Sequence, residues 1–175
     1  SVVMGASGTE ADLTEAGTIR VGMPITRYWE DFPAGWTFEN GPRSLSTEEI
    51  VAFARDWDPQ RYHVDEASAR ATPFGGLIAS GWQTGCVAMR LMCDGYLTDS
   101  SCIGSPGIEA IEFSAPVRPG DALRFRAEVL ESKASRSKPD RGIVRWRWQV
   151  LNQRGEVALS MTGTQFFLRR PDAAR

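Results

Sequence analysis

The 175-residue chain has one histidine, three cysteines and no long hydrophobic run. A single histidine excludes an HExxH centre and most His-rich zinc sites, so no metal is expected and any imidazole chemistry must use His63. The cysteines are Cys86, Cys93 and Cys102. Their number is odd and the chain is too long to need staples, which argues against a disulfide framework. We expect small buried thiols there rather than nucleophiles. No apolar stretch reaches the roughly 18 residues of a membrane span. The longest candidate, Gly85 to Leu97, is interrupted by Arg90 and Asp94. No basic excess exists either: 20 basic against 22 acidic residues give a net charge of −2. That speaks against a nucleic-acid partner. The N-terminus lacks a basic start followed by an apolar stretch, so no signal peptide is expected and the expected location is cytoplasmic. GxGxxG, P-loop, GxSxG and CxxC patterns are also missing.

What remains is an ordinary globular composition, 42% hydrophobic and 24% charged, which excludes a disordered chain, a collagen and a coiled coil. Residues 1–20 are mostly Gly, Ser, Thr, Ala and Glu with few apolar side chains, so a mobile tail is expected there. A single domain over 21–170 and a short tail over 171–175 complete the expected organisation. Trp29 to Phe38 reads as a loop, with a turn at Pro33-Ala34-Gly35, leading to a short strand. Ser46 and Glu49 fit a capping box, and Ile50, Phe53, Ala54 and Trp57 follow at helical spacing. Asp58-Pro59 stops that helix. Asp65 caps a short second helix, Glu66 to Ala71, ended by Thr72-Pro73.

From Gly81 to Tyr96 the pattern is helical but apolar around most of the circumference, which predicts a helix surrounded by protein. Strand patterns come next. Ile108 to Val117 is one. Leu123, Phe125, Ala127 and Val129 alternate with Arg124, Arg126 and Glu128; Val144, Trp146, Trp148 and Val150 alternate with Arg145, Arg147 and Gln149. Val157 to Leu168 is the last. One apolar face at period two describes antiparallel strands covered on one side. Pro119-Gly120, Pro139-Asp140 and Gln153-Arg154-Gly155 supply the turns. One buried helix and a set of long strands must cover each other, which predicts an α+β fold with a curved antiparallel sheet around a central helix.

Chemistry concentrates in two places. Asp56 and Asp58 fall at a helix C-terminus, where the dipole opposes negative charge. His63 falls just ahead of a helix N-terminus, where positive charge is disfavoured. Local rules are most often broken at functional sites. A carboxylate and an imidazole five positions apart on a loop can converge on one water and move a proton. The plainer alternative is an Asp-Pro turn and a part-exposed loop histidine. The second place is Ser80-Gly81-Trp82 at the start of the apolar helix. Its first N–H groups lack intrahelical partners and could hold a thioester oxygen. Alternatively, Ser80 is an N-cap and Gly81 only lets the helix pack. Arg124, Arg126, Arg145 and Arg147 read as a solvated strand face rather than a phosphate site. Trp36, Trp57, Tyr62 and Trp82 fit an acyl pocket or plain packing equally well.

Three stretches resemble the MaoC-like dehydratases, the family of the (R)-specific enoyl-CoA hydratases. Phe53 to Asp65 resembles the hydratase motif. Phe74-Gly75-Gly76-Leu77-Ile78-Ala79-Ser80-Gly81-Trp82 resembles the second motif, and Ser114 to Asp121 the third. The resemblance covers about Tyr28 to Arg169. It implies a hot-dog fold, a homodimer or an assembly of dimers, and reversible hydration of a trans-2-enoyl-CoA with no cofactor beyond the CoA carried by the substrate. It implies Asp58 and His63 as the catalytic pair and Gly81 as the thioester-oxygen donor, with Ser80, Trp82, Tyr62 and Gly76 as candidate pocket residues. The family pattern reads Asp-x-Asn-Pro-x-His. Here the proline follows Asp58 directly, Ser80 stands where the family commonly has His, and alignment on the proline makes Asp56 the alternative carboxylate. A thioesterase using an acidic residue on the central helix, such as Asp94, and a non-catalytic acyl-CoA-binding subunit are the other functions compatible with this fold.

Overall fold

The computed structural model describes residues 24–171. The tail expected over residues 1–20 lies outside the described residues, as does all but Pro171 of the expected C-terminal tail. The strands are β1 (Thr37–Arg43), β2 (Cys102–Phe113), β3 (Leu123–Ala134), β4 (Arg141–Leu151) and β5 (Val157–Leu168). They form one antiparallel sheet in the order β1-β3-β4-β5-β2. The helices are α1 (Thr47–Trp57), α2 (Arg61–Val64), α3 (Glu66–Arg70) and α4 (Gly81–Met92). A π-helical turn, Cys93–Leu97, continues α4.

The caps form where the side chains dictate. Ser46 Oγ accepts from the Glu49 N–H, and the Glu49 carboxylate accepts from the Ser46 N–H, closing the N-terminus of α1. Asp65 Oδ1 accepts from the Ser68 N–H at the head of α3. The inner faces of β3 and β4 carry the alternating apolar residues, with Phe125, Val129, Trp146 and Trp148 buried. Below α4 and its π-turn sits an aromatic cluster of Phe32, Trp36, Tyr96, Trp146 and Phe167. The Trp148 indole N–H donates to the Tyr96 hydroxyl at 3.0 Å, which satisfies both polar groups inside the core. The arginines of the outer face pair with carboxylates: Arg126 with Glu39, Arg145 with Glu109 and Arg147 with Glu128. They form the solvated face expected of them. The antiparallel sheet wrapped around one helix is the α+β hot-dog architecture.

Three expectations change. β2 runs from Cys102 to Phe113 rather than from Ile108 to Val117. Its early part holds Gly104 and Gly107 at positive φ and shifts register repeatedly, so the sequence has no clean alternation to read there. Residues 114–117 leave the sheet and turn towards α4, where Val117 C=O accepts from the Ala79 N–H. The helix α4 is covered on one side only. Gln83, Thr84, Val87, Ala88, Leu91 and Met92 are buried, but Trp82 is 61% exposed, Met89 50%, and Cys86 is exposed. Cys86 is therefore not the buried thiol expected of it. Cys93 and Cys102 are half-buried, and burial raises both thiols above the ordinary value.

Candidate active site

The end of α1 and the start of α4 meet at the catalytic candidates. Asp58 is the C-cap of α1, and its N–H closes on the Ala54 carbonyl. Pro59 then breaks the chain direction, and the Gln60 carbonyl accepts from the His63 N–H to start α2. His63 thus lies in a short helix of its own rather than in a loop ahead of one. It is 5% exposed, which removes the part-exposed alternative. Its Nδ1 lies 2.8 Å from the Ile78 carbonyl oxygen. A carbonyl only accepts, so Nδ1 carries a proton and Nε2 is left facing the cleft. Nε2 stands 3.4 Å from Asp58 Oδ2.

Ser80 ties the two ends together. Its hydroxyl donates to Asp58 Oδ2 at 2.7 Å and accepts from the Trp82 N–H at 3.2 Å. It is therefore both the N-cap of α4 and a support for the carboxylate, fully buried behind it. Asp58 Oδ1 accepts from the Gln60 amide at 2.8 Å. The helix-end position was expected to work against the charge on Asp58. The opposite holds: its pKa is lowered, first by the Ser80 hydrogen bond, which outweighs the opposing effect of burial, and then by the smaller effects of Gln60 and the nearby His63. Specific donors at contact distance outweigh a diffuse dipole at a helix end.

This shift has a measurable consequence. Asp58 is depressed in the folded state, so its contribution to stability is present above the unfolded carboxylate value, about 3.9, and is lost as pH falls through the folded value. Ser80→Ala removes the largest cause. The variant is expected to lose about 1 kcal/mol at neutral pH through the missing cap. Its stability is then expected to fall less steeply than wild type below about pH 4. Urea midpoints from pH 3 to 7 check this; parallel curves for the two proteins would remove the hydroxyl as the source of the shift.

The pair opens on a cleft of about 440 Å³ lined by Asp58, Tyr62, His63, Phe74, Gly81, Trp82, Phe113 and residues 114–117. That volume is within the range of small-molecule sites. Gly81 is at the first position of α4, and its N–H has no protein acceptor among the described residues. The Phe113 ring lies over it; a Cβ on Gly81 would come within 2.4 Å of that ring. Glycine thus leaves room for that ring where it lies, as well as for close approach of a ligand.

Of the other candidates, Tyr62 and Trp82 line the cleft. Gly76 does not; it sits against Arg118, whose guanidinium donates to the Phe74 carbonyl. Asp56 is exposed on α1 and takes no part in the cleft, because one helical residue separates it from the Asp58 cap that turns inward. Trp57 is 75% exposed and Trp36 belongs to the core cluster, so neither forms an acyl pocket. Sequence reasoning did not single out Gln60 or Phe113. Gln60 occupies the position of the family's Asn, two residues after the Asp, and that register was the available signal. Nothing local marked Phe113.

The hot-dog sheet and a carboxylate–imidazole pair at the head of its helix define a MaoC-like protein, and the chain belongs to that family: the MaoC like domain matches residues 33–147. A crystal structure of the MaoC-like dehydratase from Rhodospirillum rubrum is similar, with 39% identity, a TM-score of 0.78, and coverage of 83% of this chain and 99% of that one. The uncharacterized protein YdeM of Bacillus subtilis is 32% identical over 109 residues, 62% of this chain and 77% of YdeM. The 3-hydroxybutyryl-CoA dehydratase of Methylorubrum extorquens is 31% identical over 109 residues, 59% of this chain. The match spans 64% of that dehydratase's length.

Proposed function

We propose that this protein is a hydro-lyase that reversibly adds water to a trans-2-enoyl-CoA, giving a 3-hydroxyacyl-CoA. The observation that carries the reading is the pair itself: Asp58 Oδ2 and His63 Nε2 stand 3.4 Å apart in a cleft that also holds the free N–H of Gly81. A water bridging the two gives up a proton as its oxygen bonds to C3. The pair returns a proton to the α-carbon. The developing negative charge sits on the thioester oxygen, where the Gly81 N–H and the α4 N-terminus stabilise it. Overall, one O–H bond and the C2=C3 π bond break, and one C–O and one C–H bond form. No cofactor enters this scheme; CoA is the handle of the substrate. The similarity to a dehydratase of a CoA thioester supports the substrate class.

The thioesterase reading relies on Asp94, but Asp94 pairs with Arg90 and does not line the cleft of Asp58 and His63. The test is a panel of trans-2-enoyl-CoA esters, short to medium and methyl-branched, with His63→Ala as control. Loss of the conjugated thioester, dependent on His63, is the expected result. Release of free CoA would instead identify a thioesterase, and tight binding without turnover an acyl-CoA-binding subunit.

The reading includes a second copy of the chain as partner. Among the described residues β2 is the last strand of the sheet and pairs only with β5. Ile108 and Phe113 on it, and Trp82 and Met89 on α4, are each at least half exposed. A free strand edge beside exposed apolar side chains is costly in a lone molecule and suits edge-to-edge pairing of two copies. Ile108→Lys is expected to shift the protein from dimer to monomer in sedimentation velocity. A wild-type monomer would remove this part of the reading.

A further inference from the structure

Gln60 and Tyr62 carry polar groups in the cleft that the proton transfer itself does not use. The Gln60 amide donates through Nε2 to Asp58 Oδ1, and its Oε1 accepts from the Tyr62 hydroxyl. Only one amide orientation satisfies both partners, because an ionised carboxylate accepts and cannot donate, so Nε2 faces Asp58 and Oε1 is left for the phenol, which can donate. Gln60 is also the N-cap of α2, the short helix that carries His63. The Tyr62 ring meets the His63 ring edge-on at 4.5 Å and the Phe74 ring at 5.3 Å. A chain of contacts thus runs from Tyr62 through Gln60 to the far oxygen of Asp58, while Tyr62 also touches the imidazole.

We propose that Gln60 and Tyr62 form a positioning arm for Asp58, Gln60 fixing the plane of the carboxylate and Tyr62 acting through Gln60. The inference rests on the reading of Asp58 as the reacting carboxylate. A carboxylate held by Ser80 alone can rotate about its Cβ–Cγ bond. Held from both oxygens it keeps Oδ2 turned towards His63. A filled cleft excludes water from these hydrogen bonds and strengthens them at the moment they are needed. Neither residue touches the reacting atoms in this scheme, so both are positioning residues.

The test separates this arm from direct substrate contact. Gln60→Leu is expected to lower kcat about ten- to a hundredfold, the range for a hydrogen bond to a charged group, with KM changed less than about twofold. Tyr62→Phe is expected to act in the same direction but more weakly. The double variant is expected to match Gln60→Leu alone, since Tyr62 has no effect once Gln60 is gone. Multiplied losses with a raised KM in the double variant would overturn the arm and place Tyr62 on the substrate. Wild-type kinetics in Gln60→Leu would overturn it as well.

A second readout does not depend on turnover. The polar groups facing Asp58 are Gln60 and His63 just after it in the chain and Ser80 ahead of α4; no Lys or Arg pairs with it among the described residues. The Asp58 carboxyl, followed by carbon NMR, is expected to titrate higher in Gln60→Leu than in wild type. An unchanged midpoint would overturn the arm even in a protein that hydrates nothing. An inactive wild type with a shifted midpoint would instead refute the hydro-lyase reading and keep the arm.

Discussion

Asp58→Asn and His63→Ala are each expected to cut enoyl-CoA hydration by about 10²–10⁴-fold, the contribution of a positioned acid or base, while the fold persists. Asn keeps the shape of the side chain, but its single amide oxygen can accept from Ser80 or from Gln60, not from both. It cannot take a proton from water. His63→Ala removes the imidazole whose Nε2 faces Asp58 at 3.4 Å and leaves the Ile78 carbonyl without its partner. A modest loss of stability therefore accompanies both variants, the first through the lost charge-assisted hydrogen bonds of Asp58 and the second through the unpaired carbonyl. Asp56→Asn is the control: Asp56 is exposed and away from the cleft, so its activity should equal wild type. Loss in Asp56→Asn with normal turnover in Asp58→Asn would reverse the assignment. Because the two groups serve one water, the double variant Asp58→Asn/His63→Ala should be little worse than either single one.

Gly81→Val is expected to lower turnover by about 10²–10³-fold, the range for losing one donor to a developing oxyanion. Two physical causes are mixed in that number. The branched side chain crowds the space in front of the first N–H of α4. It also collides with the Phe113 ring, which a Cβ would approach within 2.4 Å. Phe113 is half exposed and can swing aside, so the collision alone is relieved cheaply. Phe113→Ala separates the causes. If the N–H holds the thioester oxygen, Gly81→Val stays inactive in the Phe113→Ala background. Recovery of activity there would show that Gly81 serves packing only and would sink its role as a donor. Circular dichroism and urea midpoints on all three variants keep misfolding apart from loss of function.

The order in which the chain became legible has physical reasons. β3, β4 and β5 could be read because their inner faces meet the core and their outer faces meet water, so the alternation of Leu123 to Val129 and Val144 to Val150 is imposed by burial. β2 could not, because as an edge strand with glycine bulges it buries almost nothing within one chain. The same cause misled the reading of α4. Trp82, Cys86 and Met89 looked like buried positions, and in a single copy they face outwards. Apolar character in a sequence records that a residue avoids water, not which molecule covers it.

By itself the sequence determined the α+β class, the capping of α1 and α3, the strands with one buried face, and the spacing that singled out Asp58, His63 and Gly81. These follow from local rules: a capping hydroxyl, a proline that ends a helix, a period of two. Only the tertiary structure set Asp58, and not Asp56, against Ser80 and His63, since that depends on which carboxylate meets a residue twenty-two positions away. It alone showed that Asp58 is favoured as an anion, against the helix-end expectation, because the donors that hold it come from Ser80 and Gln60 rather than from its own helix. It also moved Gly76 out of the cleft and brought Phe113 onto Gly81. Distances between segments far apart in the chain are set by packing of the whole core, and no local pattern encodes them.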